Sequence, residues 1–555
     1  MISHLPIFMH KSSSSIFFGI VLSFILSASA FAQQTESDVV LRAMQDELKR
    51  SIDKLVIPGQ EKPYFIEYEM MDTQGVNINA SFGGIMFSQP SRARVATIEV
   101  RVGGYDFDNE PGGFPMQVAI EDDYNSLRHE LWLATDSAYR AAVEQIARKR
   151  AFLKNRVDEE KIPDFSKEEA INLILPKPEF KFDQSRLEKT VRELSALFRQ
   201  YPNIKQSGVN LQAQLVNRYL VNSEGTRIRR PFVMITIEAQ ASAQAVDGMW
   251  VGLSTPFYAT SFEDLPSMEV MTKSIQKMAD QVTKLQSAPV LNDNYLGPVL
   301  FAGAASAEMF SQLLASELCS YRPPVGMQGE DRSELANRLN RRILPFHISV
   351  YDDPTQEKFG DKALLGSYKV DDQGVAARKI SLVEQGVLKT LLQSRRPRKN
   401  FLTSNGHGRS GSNGGVSTEI GNLFIQSSEG KSLEQLKTDM LKMCKALEMP
   451  YGIIIKGGGL SDPTLTYKVY VEDGREELIR GASTGELTVK QLKAQIIAVG
   501  NDSYVLNRAG GGGYGSGVST TVVAPSSLIE ELELKKPTGA QIKPMLLTHP
   551  YFDKP

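Results

Sequence analysis

Between Val39 and Val56, Leu41, Met44, Leu48, Ile52 and Leu55 recur at helical spacing, which predicts an amphipathic helix. The period then shortens. Strands are predicted at Tyr64 to Met71, Gly75 to Phe82 and Arg92 to Val102. Val76, Ile78 and Ala80 alternate with polar neighbours, as on a half-buried antiparallel sheet. Helical spacing returns from Glu121 to about Lys154, with Tyr139, Val143 and Ile146 on one face. It recurs from about Gln184 to Tyr201, where Asp183 is placed to cap and Leu187, Val191, Leu194 and Phe198 form the stripe. Two further strand stretches, Gly208 to Val216 and Arg218 to Val221, lead into the turn Asn222-Ser223-Glu224-Gly225 and a strand from Thr226 to Ala243. A helix from about Ser267 to Leu285 carries Met271, Ile275, Met278, Val282 and Leu285 inward. These helices are expected to pack on the sheet.

Beyond Leu291 the pattern is mostly strand. Pro298 to Phe301 reads as a short buried strand, followed by a small-residue turn and a helix from Ser306 to Leu318. Strands are predicted at Ile348 to Tyr351, Ala376 to Glu384 and Val387 to Gln393, the last two joined at Gln385-Gly386. A Gly/Ser/Asn-rich loop spans Thr403 to Gly415, and Ile420 to Gln426 is strand. Ser432 opens a helix with Gln435 placed for a capping box. Strands at Gly452 to Lys456, Thr466 to Glu472 and Glu477 to Arg480, a helix from Val489 to Ala498, a Gly510 to Gly517 loop and a strand near Thr520 to Val523 complete the chain. The expected fold class is α+β. An N-terminal α/β domain, residues 33–290, has an antiparallel sheet with packed helices, its helical part at about 121–201. A β-rich C-terminal domain covers residues 291–555.

A length of 555 residues agrees with more than one domain. Hydrophobic residues at 41% and charged residues at 23% suit a globular chain with a real core. The net charge of −2 gives no general attraction to nucleic acid or anionic membrane. The basic runs Arg148-Lys149-Arg150 and Arg395 to Lys399 read as solvated faces. Residues 1–32 have a different character. Lys11, an apolar run from Ile16 to Leu26 and Ala30-Phe31-Ala32 follow the order of a secretory signal peptide, with cleavage expected between Ala32 and Gln33. The apolar run falls short of the ~20 residues that span a bilayer, so no stable membrane anchor is expected after cleavage. The mature chain is expected in the periplasm or secreted. Cys319 and Cys444 are the only cysteines, too few for a disulfide framework. Cys444 lies on the apolar face of its helix and reads as a buried thiol; a Cys319–Cys444 bridge stays open.

Six segments of the second half, in this order, carry a family resemblance. They are Gly297-Pro298-Val299-Leu300-Phe301; Val350-Tyr351-Asp352-Asp353-Pro354-Thr355; Asp371-Asp372-Gln373-Gly374 with Leu382 to Leu388 and Leu391 to Arg395; Ser404-Asn405-Gly406-His407-Gly408-Arg409; Asn422-Leu423-Phe424-Ile425 with Ser432 to Leu436; and Ile497 to Asp502. Together they resemble the C-terminal domain of the TldD/PmbA family of metalloprotease-related proteins, also called modulators of DNA gyrase. The resemblance implies a C-terminal β-rich TldD/E-type domain and a dimer, often of unlike paralogues, enclosing a chamber where unfolded peptide is cleaved. In the active type, the helix after the Pro-Val strand carries HExxxH, and a later Cys completes a zinc site.

This sequence departs from that pattern at every ligand. The HExxxH positions fall on Ser311, Gln312 and Ser316, and the Cys position falls near Gly512. Hydroxyl and amide side chains do not hold catalytic zinc alone. The chain therefore resembles the PmbA/TldE-type member lacking the zinc motif. The expectations are no cofactor in this chain, zinc only in a paralogous partner, and a TldD-like paralogue or a second copy as the dimer mate. Whether the chain is itself an enzyme stays open. An active peptidase using unrecognised residues and a non-catalytic peptide-binding envelope protein are the alternatives. Glu308 lies one turn before Ser311, and His407 and Arg409 sit in a glycine-rich loop; these three are the candidate peptide-cleft residues. The pairs Asp352-Asp353 and Asp371-Asp372 abut Pro and Gly and read as turn chemistry.

Overall fold

The computed structural model describes residues 38–154, 161–325, 334–411, 415–460, 462–510, 518–538, 547 and 549–553. The segment read as a signal peptide lies outside them.

The N-terminal half is built on β1 (Pro63–Ser81) and β2 (Gly84–Val102), paired antiparallel over almost their whole length. The sequence pattern suggested three shorter strands here. Gly75 does not break β1. It admits a close backbone approach, because a Cβ there would stand 2.5 Å from the Ala213 carbonyl oxygen. With β3 (Phe114–Gln117), β4 (Asn172–Ile174), β5 (Ile204–Asn222), β6 (Arg227–Gln244) and β7 (Trp250–Ala259), these form one sheet of order β3-β2-β1-β5-β6-β4, with β7 also on β6. Only β4 runs parallel to its neighbour.

Four helices cover one face of this sheet. They are α1 (Val39–Lys54), α2 (Tyr124–Leu153), α3 (Gln184–Ala196) and α4 (Met268–Ser287). Asp38, Asp123, Asp183 and Ser267 cap them through side-chain oxygens that accept backbone N–H bonds. The even-numbered residues of β1 point at them: Ile66, Tyr68 and Met70 toward α1 and α2, and Val76, Ile78 and Ala80 toward α3 and α4. Cross-strand partners share a face, so the odd positions of β1 and their partners on β5, β6 and β7 make a second, helix-free face.

In the C-terminal half, β8 (Tyr295–Phe301) lies inside an eight-stranded sheet, between Ser527–Lys535 and the parallel strand Tyr451–Ile455. A six-stranded sheet is centred on β9 (Ile348–Asp352) and Asn422–Ser427. The apolar sides of both sheets and α5 (Ala304–Leu314) share one core, which includes Val299, Phe301, Phe310, Val350 and Leu423. On the other side of the eight-stranded sheet, α6 (Leu433–Ala446) buries Leu436, Met440 and Cys444. Its N-terminus has the capping box formed by Ser432 and Gln435. Both cysteines are buried and free.

Two expected helices come out shorter. The helix expected to reach Leu318 stops at Leu314, and residues 315–318 are turn. The helix expected over Val489 to Ala498 survives only as Leu492–Gln495. Ile496–Gly500 is strand, because its β-branched run pairs with Ser527–Lys535. Among the described residues, no helix is long and apolar enough to cross a membrane.

Candidate functional site

The turn from β8 into α5 is set by Gly303, whose φ of 54° is readily adopted only without a side chain. Its N–H donates to Ser526 Oγ (3.1 Å), and Ser306 Oγ donates to the Pro525 carbonyl (2.6 Å). These bonds tie the start of α5 to the strand Ser527–Lys535. Met309, Phe310 and Leu314 point into the core, which leaves Glu308, Ser311 and Gln312 on the outer side.

That outer side is already engaged. Glu308 pairs with the Arg508 guanidinium and accepts from Gln312 Nε2 (2.8 Å). Gln312 Oε1 accepts the Leu460 N–H (3.0 Å), which fastens α5 to the glycine-rich stretch Gly457-Gly458-Gly459. Glu308 is thus a bridging residue rather than a free surface acid. Ser311 is half-buried, and Ser316 is exposed but lies beyond the end of the helix. Gly512 lies outside the described residues. A zinc site on this helix needs two imidazoles on one continuous helical face. Here the donor types are hydroxyl and amide, the amide is occupied at both ends, and the third position is off the helix. The residues present do not fit the metal. Among the described residues, no group of three or more His, Cys, Asp or Glu is placed to hold one.

From Arg508 the polar surface continues onto the N-terminal sheet. Burial pushes the Tyr258 phenol on β7 up to about 12, with the Glu238 charge adding to the rise, and Tyr504 and Arg508 are close enough to act on it. Tyr258 and Glu238 belong to the helix-free face. Across it run rows of cross-strand neighbours: Gln89, Asn77, Gln212, Thr236 and Tyr258; then Phe87, Asn79, Asn210, Glu238 and Pro256. Asn77 Oδ1 and Thr236 Oγ1, on either side of Gln212, are shielded and make no hydrogen bond. Two cavities open on this surface. One of about 240 Å³ touches Asn77, Phe87, Gln89, Gln212 and Gln214; one of about 340 Å³ lies nearer the β1–β2 hairpin tip. The face is rich in amides, poor in charge and partly unsatisfied, which suits hydrogen bonding to a peptide main chain.

Nearer the C-terminal half, the same face is closed. Arg218 and Arg230 both pair with Asp372, and Arg409 Nε approaches its other oxygen (3.4 Å). Arg218 also reaches Glu69 (2.8 Å), and Ser410 donates from its N–H to Asp372 (2.8 Å) and from Oγ to Glu69 (3.2 Å). Burial pushes the Asp372 carboxyl up, but the three arginines outweigh it and hold the group below the usual carboxylate range. Asp371 lacks such partners. Burial raises it to about 6, against three backbone N–H bonds from Gln373, Val375 and Gly408. Asp371 therefore does the turn chemistry expected of it, whereas Asp372 is the anion of a buried junction.

His407 and Arg409 do not line a cleft. His407 is fully buried, with Nε2 on Asp352 Oδ1 (3.0 Å) and Nδ1 near Asn405 O and Oδ1 (3.1 and 3.0 Å). Arg409 stacks on Tyr368, 4.2 Å from the ring centre, while facing Asp372. Gly406 and Gly408 beside them admit close packing, with a Cβ at either standing within 2.4 Å of a neighbouring oxygen. Arg395 and Lys149, read as solvated, are also buried. Arg395 donates to the Ser166 carbonyl and pairs with Glu224 (2.8 Å) over the Phe165 ring. Lys149 pairs with Asp164 (2.5 Å). The amide rows went unrecognised in the sequence, although their period-2 alternation with Val209, Leu211, Ile235 and Ile237 was readable.

The fold joins a seven-stranded sheet with packed helices to a β-rich C-terminal part, and α5 carries Ser311 and Gln312 on its outer side. Residues 294–536 match the family described as the PmbA/TldA metallopeptidase C-terminal domain. A metalloprotease of Methanocaldococcus jannaschii is 33% identical over 138 residues, which is 24% of this chain and 27% of that protein. A metalloprotease of Methanothermobacter thermautotrophicus is 24% identical over 286 residues, 51% of this chain and 59% of that one. These alignments thus span less than two thirds of either relative. The crystal structure of TldE from Thermococcus kodakarensis superposes with a TM-score of 0.57 at 16% identity, covering 89% of this chain and 99% of that one, and so shares the fold. Residues 294–536 of this chain are thus a PmbA/TldA-type metallopeptidase C-terminal domain.

Proposed function

We propose that this protein is the metal-free, polypeptide-holding subunit of an exported peptide-cleaving complex, paired with a zinc-bearing TldD-like paralogue. The observation that carries the reading is the state of α5. Its outer positions are Ser311 and Gln312, and Gln312 is used to fasten the helix to Leu460. Catalysis by zinc then falls to the partner. This chain contributes the amide-lined face, which offers donors and acceptors with little charge and so holds unfolded peptide with little sequence preference. Export rests on the residue order of the first 32 positions, and the mature protein is expected in the periplasm or outside the cell.

Native purification followed by mass spectrometry and metal analysis tests this. The expected result is a complex with a paralogue, zinc in the partner alone, and a mature N-terminus at Gln33. Peptide cleavage by the complex should stop with a chelator, while this chain stays folded. Stoichiometric zinc and proteolysis in the isolated chain would overturn the reading. Cleavage by the isolated chain that ignores chelator and disappears on one substitution would instead establish a peptidase using other residues.

A further inference from the structure

The β1–β2 hairpin ends in an unusual way. Ser81 pairs with Gly84, so the loop is only Phe82 and Gly83, with φ of 52° and 80°. Positive φ at both central positions fits the type I′ turn, which Asn-Gly normally fills. Phenylalanine in this region is strained and persists only where its surroundings hold it. Arg199 Nε donates to the Phe82 carbonyl (3.0 Å), and the Gly83 N–H donates to Ser195 Oγ (3.1 Å). The turn holds a half-buried aromatic ring at the hairpin tip, packed at the edge of the core beneath α3 and α4.

Another part of the chain sits on that ring. His549, Tyr551 and Phe552 surround Phe82, with ring centres 4.7, 5.1 and 6.2 Å away. The Tyr551 and Phe552 rings stand edge-on to it, at 81° and 86°, the favoured aromatic geometry. Arg199 lies 5.9 Å from the Phe82 ring centre and 6.0 Å from that of Tyr551. The segment is a compact turn, in which Phe552 and Asp553 donate backbone N–H bonds to the His549 carbonyl (2.9 and 3.1 Å). His549 also walls the 340 Å³ cavity, with Asn79, Met86, Gln206 and Gln240 of the amide face. So a turn of this chain occupies the end of the surface that we read as holding polypeptide.

We propose that the β1–β2 tip is a docking site for polypeptide turns carrying adjacent aromatic side chains, and that residues 549–553 are its intramolecular occupant. The site selects aromatic pairs through Phe82 and Arg199, and the occupant gives way when another such segment enters from the amide face. The inference rests on the reading that this face handles polypeptide, and it adds a subsite, a side-chain class and a competitor.

The test uses the full chain and a fluorescent peptide of the sequence of residues 547–553. A tethered occupant competes at an effective concentration in the millimolar range. Peptide binding by anisotropy should therefore strengthen at least about tenfold in Tyr551→Ala/Phe552→Ala, which empties the site. Phe82→Asn keeps a residue that favours the left-handed turn and removes the ring. Added to the double variant, it should abolish the gain, with the circular dichroism spectrum unchanged. Equal binding to the wild type and the double variant, or binding that survives Phe82→Asn, would overturn the proposal. If the peptide fails to bind while the chain still assembles with a zinc-bearing paralogue, the docking site falls and the function proposed above stands. A dimer that dissolves in Tyr551→Ala/Phe552→Ala would assign the segment to a second copy and overturn the intramolecular form.

Discussion

The helix-free face of the N-terminal sheet behaves in two opposite ways along its length. Near Glu69, Arg218 and Arg230 it is charged and buried, and both arginines pair with Asp372 of the C-terminal half. Near Asn77, Asn210 and Gln212 it is amide-rich, poor in charge, partly exposed and partly unsatisfied. Both stretches use the same strands and the same alternation. They differ in what lies opposite. A charged patch held by several ion pairs to one carboxylate has one partner geometry and fixes the two halves relative to each other. Amides without fixed partners can accept many main-chain arrangements. The contrast assigns rigidity to the first region and recognition to the second.

The largest expected effect tests the rigid region. Asp372→Ala leaves Arg218, Arg230 and Arg409 buried together without their anion. It should cost about 3–5 kcal/mol in urea unfolding, the range for breaking a buried ion pair. A cost below about 1 kcal/mol would mean that water screens the junction, and the comparison would fail.

A second test uses pH. Asp371 rises on folding to about 6, so the folded chain holds more protons than the unfolded chain between about pH 4 and 6. Its contribution to stability is therefore present at the acid end of that window and is lost as pH rises through it. Asp372 is shifted the other way, so its contribution is present above its unfolded pKa and lost only as pH falls below the normal carboxylate range. Asp371→Asn should flatten the stability profile between about pH 4 and 6 and leave the more acidic limb. An unchanged profile would show that Asp371 is not the group responsible.

A smaller change probes a boundary that the pattern already located. Ser432→Ala removes the α6 cap and should cost about 1 kcal/mol by thermal or urea unfolding. The smallest effect on stability belongs to the open region. Gln212→Ala should alter stability by less than about 0.5 kcal/mol, as for other surface changes. It should still weaken binding of an unfolded peptide titrated against the chain. A large loss of stability would show that this amide has a structural partner and is not free for a ligand.

The legible parts of this protein were those whose signal is local. The stripes of α1 to α4, their acidic or hydroxyl caps and the Ser432–Gln435 box were readable because each depends on residues within one or two turns. The residue types at Ser311, Gln312 and Ser316 are read directly from the sequence. Less legible were elements that end for reasons outside themselves. Ile496–Gly500 is strand because Ser527–Lys535 lies beside it, and β1 runs unbroken through Gly75 because β5 passes close.

Charged and aromatic side chains were the hardest to place. Arg395 and Lys149 looked solvated until their acceptors arrived from Ser166, Glu224 and Asp164, far away in the chain. His407 looked like an open-loop residue, and Asp352 closes over it. By itself the sequence pointed to the TldD/PmbA resemblance, the α+β class and the stripes and caps of α1 to α4, because periodicity, capping and residue chemistry are written locally. Only the tertiary structure decided which face of the long sheet is locked and which is open, and that residues 549–553 sit on Phe82. Burial and long-range pairing set the meaning of a polar side chain, and neither is a property of its neighbours in sequence.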